Sequence, residues 1–233
     1  LKNRIDYLFS IGGDGTLLNT INLVKTSEIP VLGINLGRLG LLTTINPSQV
    51  AESLHLLKNK QYKIDKRTLL RLDSEPRVFE GVNYALNEFT IHKRDTSSMI
   101  TIHTYVNGIF LNSYWADGII VATPTGSTAY SLSCGGPIVY PNSQTFIITP
   151  VAPHNLNVRP ILLPDTAVIS FQVEGRSDHF LCTLDSRYET INKNYQLSVQ
   201  KEDFSLNLVR INNGNNFFTT IRSKLNWGMD SRN

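Results

Sequence analysis

The sequence predicts a two-part protein, an α/β domain with a parallel sheet followed by an all-β, mainly antiparallel domain. Three observations carry this expectation. Near the start, two short apolar runs each lead into a glycine-rich loop, with a helical stretch between them. That βαβ order builds a parallel sheet. From about Tyr62 onward, short runs of β-branched and aromatic residues alternate with turns, the pattern of an antiparallel β domain. The 233 residues, 41% hydrophobic and 18% charged, supply ample core for a soluble globular protein.

The run 5–11 reads as a buried strand, and Gly12-Gly13-Asp14-Gly15 as the turn that leaves it. Leu17, Leu18, Ile21, Leu23 and Val24 fit helical spacing loosely, so a helix is expected next. Three glycines around one aspartate let phosphate or ribose oxygens reach bare N–H groups. They also present the Asp14 carboxylate at the carboxyl end of a strand, where open α/β sheets bind ligands. The spacing is neither that of a P-loop nor that of the G-x-G-x-x-G dinucleotide fingerprint. Residues 29–34 form the second expected strand, running into the glycine-punctuated loop Asn35-Leu36-Gly37-Arg38-Leu39-Gly40. Asn46-Pro47-Ser48 marks a further helix start, with Ser48 as N-cap, Glu52 in the first turn, and Val50, Leu54 and Leu57 at helical spacing over 49–60.

Strands are then expected over 68–72, 84–91, 99–106, 109–114, 118–122, 145–151, 167–173, 180–184, 195–200 and 205–210. Val106-Asn107-Gly108-Ile109 is a hairpin signal. A helix is expected after Pro124, and another over 215–226 that docks back on the first domain. The expected domains are 1–62, 63–212 and the C-terminal segment 213–233. Because the chain opens at Leu1, a few residues before its first strand, a preceding strand and helix are expected as well.

Composition removes several function classes. A net charge of +3 with no Lys/Arg cluster suits an anionic small ligand rather than nucleic acid. Cys134 and Cys182 lie far apart, so neither a disulfide framework nor a zinc site is indicated, and reduced thiols in a cytoplasmic protein are expected. No apolar run approaches membrane-spanning length, and no signal peptide is legible. The five histidines show no ligand spacing, so no protein-held metal is expected.

Three further stretches bear chemistry. Thr123-Pro124-Thr125-Gly126-Ser127-Thr128-Ala129-Tyr130-Ser131-Leu132-Ser133-Cys134-Gly135-Gly136-Pro137 follows a strand and opens a hydroxyl-rich helix start, a polar cradle for adenine, ribose or phosphate. Asn87-Glu88 sits in a strand, where adjacent side chains point to opposite faces unless a bulge intervenes. Taken alone, this pair reads as a solvated strand end. Asp117 precedes Gly118 and an apolar strand, and alone reads as a turn aspartate.

In this order, these pieces resemble the NAD kinase family. The matching residues are Gly12-Gly13-Asp14-Gly15-Thr16, 35–40, Asn87-Glu88, Asp117-Gly118, 123–133 and Gly135-Gly136-Pro137. The glycine–aspartate turn is shared with lipid kinases, whereas the Thr-Pro-Thr-Gly-Ser-Thr-Ala-Tyr segment is highly specific. The resemblance implies a Rossmann-like α/β domain and a sandwich-like β domain. It implies transfer of the γ-phosphoryl of ATP, or of polyphosphate in some members, to the 2′-hydroxyl of the adenosine ribose of NAD, giving NADP. It also implies Mg²⁺ or another divalent cation carried by ATP, and a homodimer or homotetramer.

Carried over by position, Asp14 is the catalytic base, and Gly12, Gly13 and Gly15 let the backbone approach the phosphates. Asn87 and Glu88 hold the ribose hydroxyls. Thr128, Ala129, Tyr130 and Ser133 line the adenine pocket, with Ser131 and Leu132 in the same NAD-binding segment. Asp117 binds near the nicotinamide carboxamide, and Ala152 lies on the loop at that end. The sequence departs from the common pattern at Trp115, where many members have arginine near the phosphates. It departs again at Cys134, in place of a small residue, and at Asp185-Ser186-Arg187, in place of Asp-Gly-Gln. A diacylglycerol- or sphingosine-type lipid kinase is the alternative enzyme, but no amphipathic basic helix is present to meet a membrane. A non-catalytic NAD(P) sensor is the other alternative, and it has no need of Asp14.

Overall fold

The computed structural model describes residues 4–37, 40–95, 98–211, 216–225 and 227. Arg38 and Leu39 of the second glycine loop, and Asn215 and Asn226 at the ends of the expected C-terminal helix, lie outside the described residues. The chain divides into two compact units, Leu1–Arg67 with Ser205–Asn233, and Thr68–Phe204.

The first unit opens with β1 (Leu8–Gly12), α1 (Asp14–Val24), β2 (Val31–Asn35) and α2 (Val50–Lys58). β1 and β2 pair in parallel, Leu8 opposite Val31 through Gly12 opposite Asn35, as two strands joined by a helix must. The α2 entry differs from expectation. Asn46, not Ser48, caps the turn Pro47–Gln49, its side chain taking the Gln49 N–H while Gln49 Oε1 accepts the Asn46 N–H at 3.2 Å. This reciprocal box satisfies two otherwise orphaned donors, which a serine one residue after the proline cannot do.

β3 (Lys63–Glu75) carries the chain into the second unit. There follow β4 (Tyr84–Ala85), β5 (Glu88–Lys93), β6 (Ile100–Val106), β7 (Ile109–Ala116) and β8 (Gly118–Ala122). After these come α3 (Tyr130–Ser133), β9 (Thr145–Val151), β10 (Ile161–Pro164), β11 (Ile169–Glu174), β12 (His179–Leu184) and β13 (Arg187–Asn192). β14 (Gln196–Arg210) then returns to the first unit, where its end pairs in parallel with β2 at Leu208 and Val31 and where α4 (Phe217–Leu225) follows.

The expected strand 84–91 is two strands, interrupted at Leu86 and Asn87 for a reason given below. After Pro124 the helix is reduced to a tight turn over Gly126–Thr128 and the single turn of α3. The hairpin at Asn107-Gly108 forms as expected. Both residues have positive φ, 51° and 78°, the conformation that matches strand twist.

In the second unit an antiparallel six-stranded sheet runs β10-β9-β8-β5-β12-β13. A second antiparallel set pairs β7 with β6, β6 with β11, and β11 with the start of β14. One apolar core joins their facing sides: Phe89, Ile91, Phe146 and Phe180 from the first, Ile102, Ile169, Phe171 and Val199 from the second. Phe89, Phe146 and Phe180 are completely buried. Each such side chain contributes roughly 1.5–3 kcal/mol by leaving water. β8 is buried on both faces, with Ile119 and Val121 in this core and Ile120 and Ala122 under Val139. Its end is therefore a rigid origin for the segment beginning at Thr123.

Candidate active site

In the first unit, β1 delivers the chain to the N-terminus of α1. Gly13 is the cap residue, with no side chain to satisfy the first N–H groups. Asp14 occupies the first turn, where a negative charge complements the helix dipole. Its half-buried carboxylate is held from a loop 27 to 29 residues away. Oδ2 accepts the Leu41 N–H at 2.8 Å. Oδ1 accepts the Leu42 N–H at 3.2 Å, the Thr43 N–H at 3.0 Å and the Thr43 hydroxyl at 2.8 Å. Among the described residues every partner donates, as suits a carboxylate. From those residues Oδ1 receives three donors and Oδ2 only one.

Gly40 is what admits this carboxylate: a Cβ there would stand 1.9 Å from Asp14 Oδ1 and 2.4 Å from Thr43 Oγ1. Around Gly13 and Gly15, by contrast, a Cβ would meet no protein atom within 4 Å.

In the second unit, the chain between β4 and β5 is gripped by Asp185. Its carboxylate accepts the N–H groups of Leu86 (2.9 Å), Asn87 (2.8 Å) and Glu88 (3.2 Å). These three donors turn toward one side chain instead of a neighbouring strand, so the expected single strand breaks here. Asp185 sits at φ 51° in the two-residue connection between β12 and β13, a conformation aspartate tolerates better than most residues. Burial pushes the Asp185 carboxyl up, against the pull of the three N–H groups and Arg187.

Glu88 is not a solvated strand end. It is 9% exposed, and its Oε2 is buried without a hydrogen-bond partner among the described residues. Burial, reinforced by the Asp185 charge, raises its pKa to about 8, so at neutral pH it carries a proton that it can donate. A carboxyl group kept neutral and unsatisfied in this way has a hydrogen bond to offer a ligand.

The hydroxyl-rich segment divides by depth. The Thr123 hydroxyl donates to the Leu86 carbonyl and accepts the Gly126 N–H, and Gly126 packs so tightly on Asn87 that a Cβ would lie 2.1 Å from its carbonyl oxygen. The Ser127 hydroxyl donates to the Pro124 carbonyl at 2.7 Å and accepts the Val139 N–H at 3.0 Å, and Ser131 pairs with Thr149 at 2.8 Å. Both serines are fully buried, so their oxygens build the segment rather than face a ligand. Thr128, Ala129, Tyr130, Leu132 and Ser133 remain accessible. The Tyr130 ring lies stacked on that of His92, centroids 5.5 Å apart. Burial lowers the pKa of His92, opposed by Asp117, which favours a neutral imidazole beneath the tyrosine.

Asp117 is paired with Lys93 Nζ at 2.6 Å. Trp115 is half-exposed with its ring against His154, centroids 4.3 Å apart. Ala152 is exposed and has a positive φ of 43°. The second unit thus brings Glu88, Asp117 and Cys134 near Tyr130, whose own pKa is raised chiefly by burial and also by these three groups.

Residues 1–62 match the family model of the ATP-NAD kinase N-terminal domain, and residues 86–211 that of the ATP-NAD kinase C-terminal domain. The chain belongs to the NAD kinase family. It is 55% identical to the NAD kinase of Cytophaga hutchinsonii, over 98% of this chain and 78% of that protein. It is 48% identical to the NAD kinase of Flavobacterium psychrophilum, over 100% of this chain and 80% of the relative. Among solved structures it is similar to yeast NADH kinase complexed with NADH, with a TM-score of 0.88 and 28% identity over 98% of this chain and 68% of that one. It is also similar to an NAD kinase from Archaeoglobus fulgidus in complex with ATP, with a TM-score of 0.77 and 29% identity over 94% and 83%.

Within an NAD kinase frame the charged departure at Arg187 becomes legible. Arg187 donates to the carbonyls of Val82 and Tyr84 and lies 5.8 Å from the Phe79 ring centroid. It braces the approach to Asn87 and Glu88. Thr43, His92 and Lys93, which contact Asp14, Tyr130 and Asp117, and Asp185, which accepts the N–H groups of residues 86–88, do not read as site residues from the sequence. Asp185 is legible there only as part of the Asp185-Ser186-Arg187 motif, with nothing in the sequence to show that it grips residues 86–88.

Proposed function

We propose that this chain transfers the γ-phosphoryl of ATP to the 2′-hydroxyl of the adenosine ribose of NAD, giving NADP and ADP. The observation that carries the reading is the Asp14 carboxylate at an uncapped helix N-terminus, where the described residues place three donors on Oδ1 and one on Oδ2, leaving an acceptor position on Oδ2 among them. That position would take the proton of the 2′-hydroxyl as its oxygen bonds to the γ-phosphorus and the bond to the β-phosphate oxygen breaks. The open space beside Gly13 and Gly15 supports their role in phosphate approach.

Asn87 and Glu88 would hold the ribose hydroxyls, with the buried Glu88 carboxyl supplying the hydrogen bond it lacks in the protein. Thr128, Ala129, Tyr130, Leu132 and Ser133 would line the adenine. Ser131 would serve from beneath, Asp117 would meet the nicotinamide carboxamide beside Lys93, and Ala152 would border that end. Among the described residues no three His, Cys, Asp or Glu side chains gather as a metal site. The divalent cation, Mg²⁺ in this proposal, would be carried on the hard phosphate oxygens of ATP and would neutralise their charge.

A cytoplasmic location fits the two free cysteines, and no helix among the described residues is long and apolar enough to cross a membrane. A homodimer or homotetramer is proposed with it, and exposed Ile109 and Phe110 on β7 offer apolar surface for such contacts. The family match leaves a lipid kinase without support, and a bound but unreacting NAD is the outcome that a sensor would give. The test is NADP formation from NAD, ATP and Mg²⁺, run beside Asp14→Asn. The expected result is turnover by the native chain and a kcat lower by roughly 10² to 10⁴ in the variant, the range for a positioned general base. A variant as fast as the native chain would remove Asp14 from that role.

A further inference from the structure

The peptide units that grip Asp14 are themselves held by a charged cluster within the same unit. Arg210, the last residue of β14, donates through Nη1 to the Leu42 carbonyl at 3.2 Å and to the Thr44 hydroxyl at 3.3 Å. Its Nε donates to Asp65 Oδ2 at 3.1 Å. Asp65 also receives Arg67, from Nε at 3.0 Å and Nη2 at 2.7 Å. Burial opposes ionisation of Asp65, but the two guanidiniums outweigh it and hold the carboxyl below its ordinary range.

The Leu42 carbonyl and the Thr43 N–H belong to one planar trans peptide, so they point in opposite directions and turn together. Arg210 holds the carbonyl end of that unit, and Asp14 Oδ1 receives its N–H at 3.0 Å. Polarising the carbonyl also strengthens the N–H as a donor. The neighbouring contact to Thr44 secures the next residue of the same loop. A rigid fork with donors on separate nitrogens can serve a carboxylate and two loop oxygens at once, whereas a lysine ammonium is a single point on a flexible stem.

We infer that Arg210, oriented by Asp65, is a positioning residue for phosphoryl transfer, fixing the 42–44 main chain so that its N–H groups hold Asp14 in reactive orientation. The inference rests on Asp14 being the base. It extends the functional apparatus to the end of β14, which reaches Asp14 only through the 42–44 main chain.

A double-mutant cycle tests it on the full chain, with kcat and KM measured for the native protein, Arg210→Lys, Asp14→Asn and the pair. Arg210→Lys is expected to lower kcat about 10- to 100-fold, the effect of a small misplacement of a reacting group, with KM for NAD and for ATP within about twofold. In the Asp14→Asn background the same change should lower the residual turnover by less than about twofold. Should Arg210→Lys fail to fold, Thr44→Val removes one loop acceptor and leaves the Asp65 pairs intact; its smaller kcat loss should likewise vanish beside Asp14→Asn. Equal losses in both backgrounds, or a full kcat in Arg210→Lys and Thr44→Val, would overturn the inference while leaving Asp14 as base. An Asp14→Asn enzyme with native turnover would instead remove the reading on which it rests.

Discussion

Asp14 in the first unit and Glu88 in the second are both acidic side chains beside a glycine-containing turn, and the protein treats them in opposite ways. Asp14 is half-buried and surrounded by donors, four bonds from Leu41, Leu42 and Thr43. Glu88 is almost fully buried, faces the charge of another carboxylate, and has an oxygen with no hydrogen-bond partner among the described residues. The first environment orients a carboxylate; the second keeps a carboxyl group neutral and in need of a ligand. One functional group, the side-chain carboxyl, thus becomes an acceptor or a donor according to the groups that the fold brings to it.

The contrast can be broken most directly at Asp14. Asparagine would set an amide NH₂ against N–H donors, so Asp14→Asn should lose both the proton acceptor and the fixed loop. The expected fall in kcat is roughly 10² to 10⁴, read by steady-state kinetics. On the other side, Asp185→Ala strips three N–H groups of their acceptor in a buried place and removes the charge beside Glu88. With a penalty of about 1–3 kcal/mol for each unsatisfied buried group, relaxation and water entry should leave a loss of roughly 3–5 kcal/mol, measurable as a lower urea midpoint. Gly40→Ala sharpens the Asp14 side without altering its charge. The added methyl would drive into Oδ1 and should reduce kcat about 10- to 100-fold while NAD affinity, measured calorimetrically, stays within a few-fold.

The smallest effect concerns pH. Glu88 in the folded chain binds its proton up to a pKa of about 8, against an ordinary 4.5. Between those values the folded state holds more protons than the unfolded one, so stability falls as pH rises through that window and levels off above about 8. Thermal melts from pH 5 to pH 9 should show that decline, and Glu88→Gln, which has no proton to lose, should flatten it. An unchanged slope in the variant would mean that Glu88 is ionised in the fold, and the contrast with Asp14 would collapse.

What the sequence determined alone was whatever depends on neighbours within a turn or two. The apolar run ending at Ile34, the Asn107-Gly108 hairpin and the β-rich stretch after Tyr62 each declare their own element. The run before Gly12 forms β1 but, against the expectation of a buried strand, leaves Phe9 and Ile11 exposed. The order of glycine, aspartate and hydroxyl motifs was enough to reveal the family. Tertiary structure alone decided the partners: loop donors 27 to 29 residues from Asp14, and Asp185 some 97 to 99 residues from the N–H groups it accepts. It turned Ser127 and Ser131 inward although Thr128 and Tyr130 stayed accessible, and it placed the capping side chain ahead of α2 at Asn46, on the tight turn Pro47–Gln49. The physical reason is that periodicity records which face of an element is apolar. Hydrogen-bond partners and the burial of a single carboxyl group depend on which distant segment arrives beside it, and a linear pattern does not carry that information.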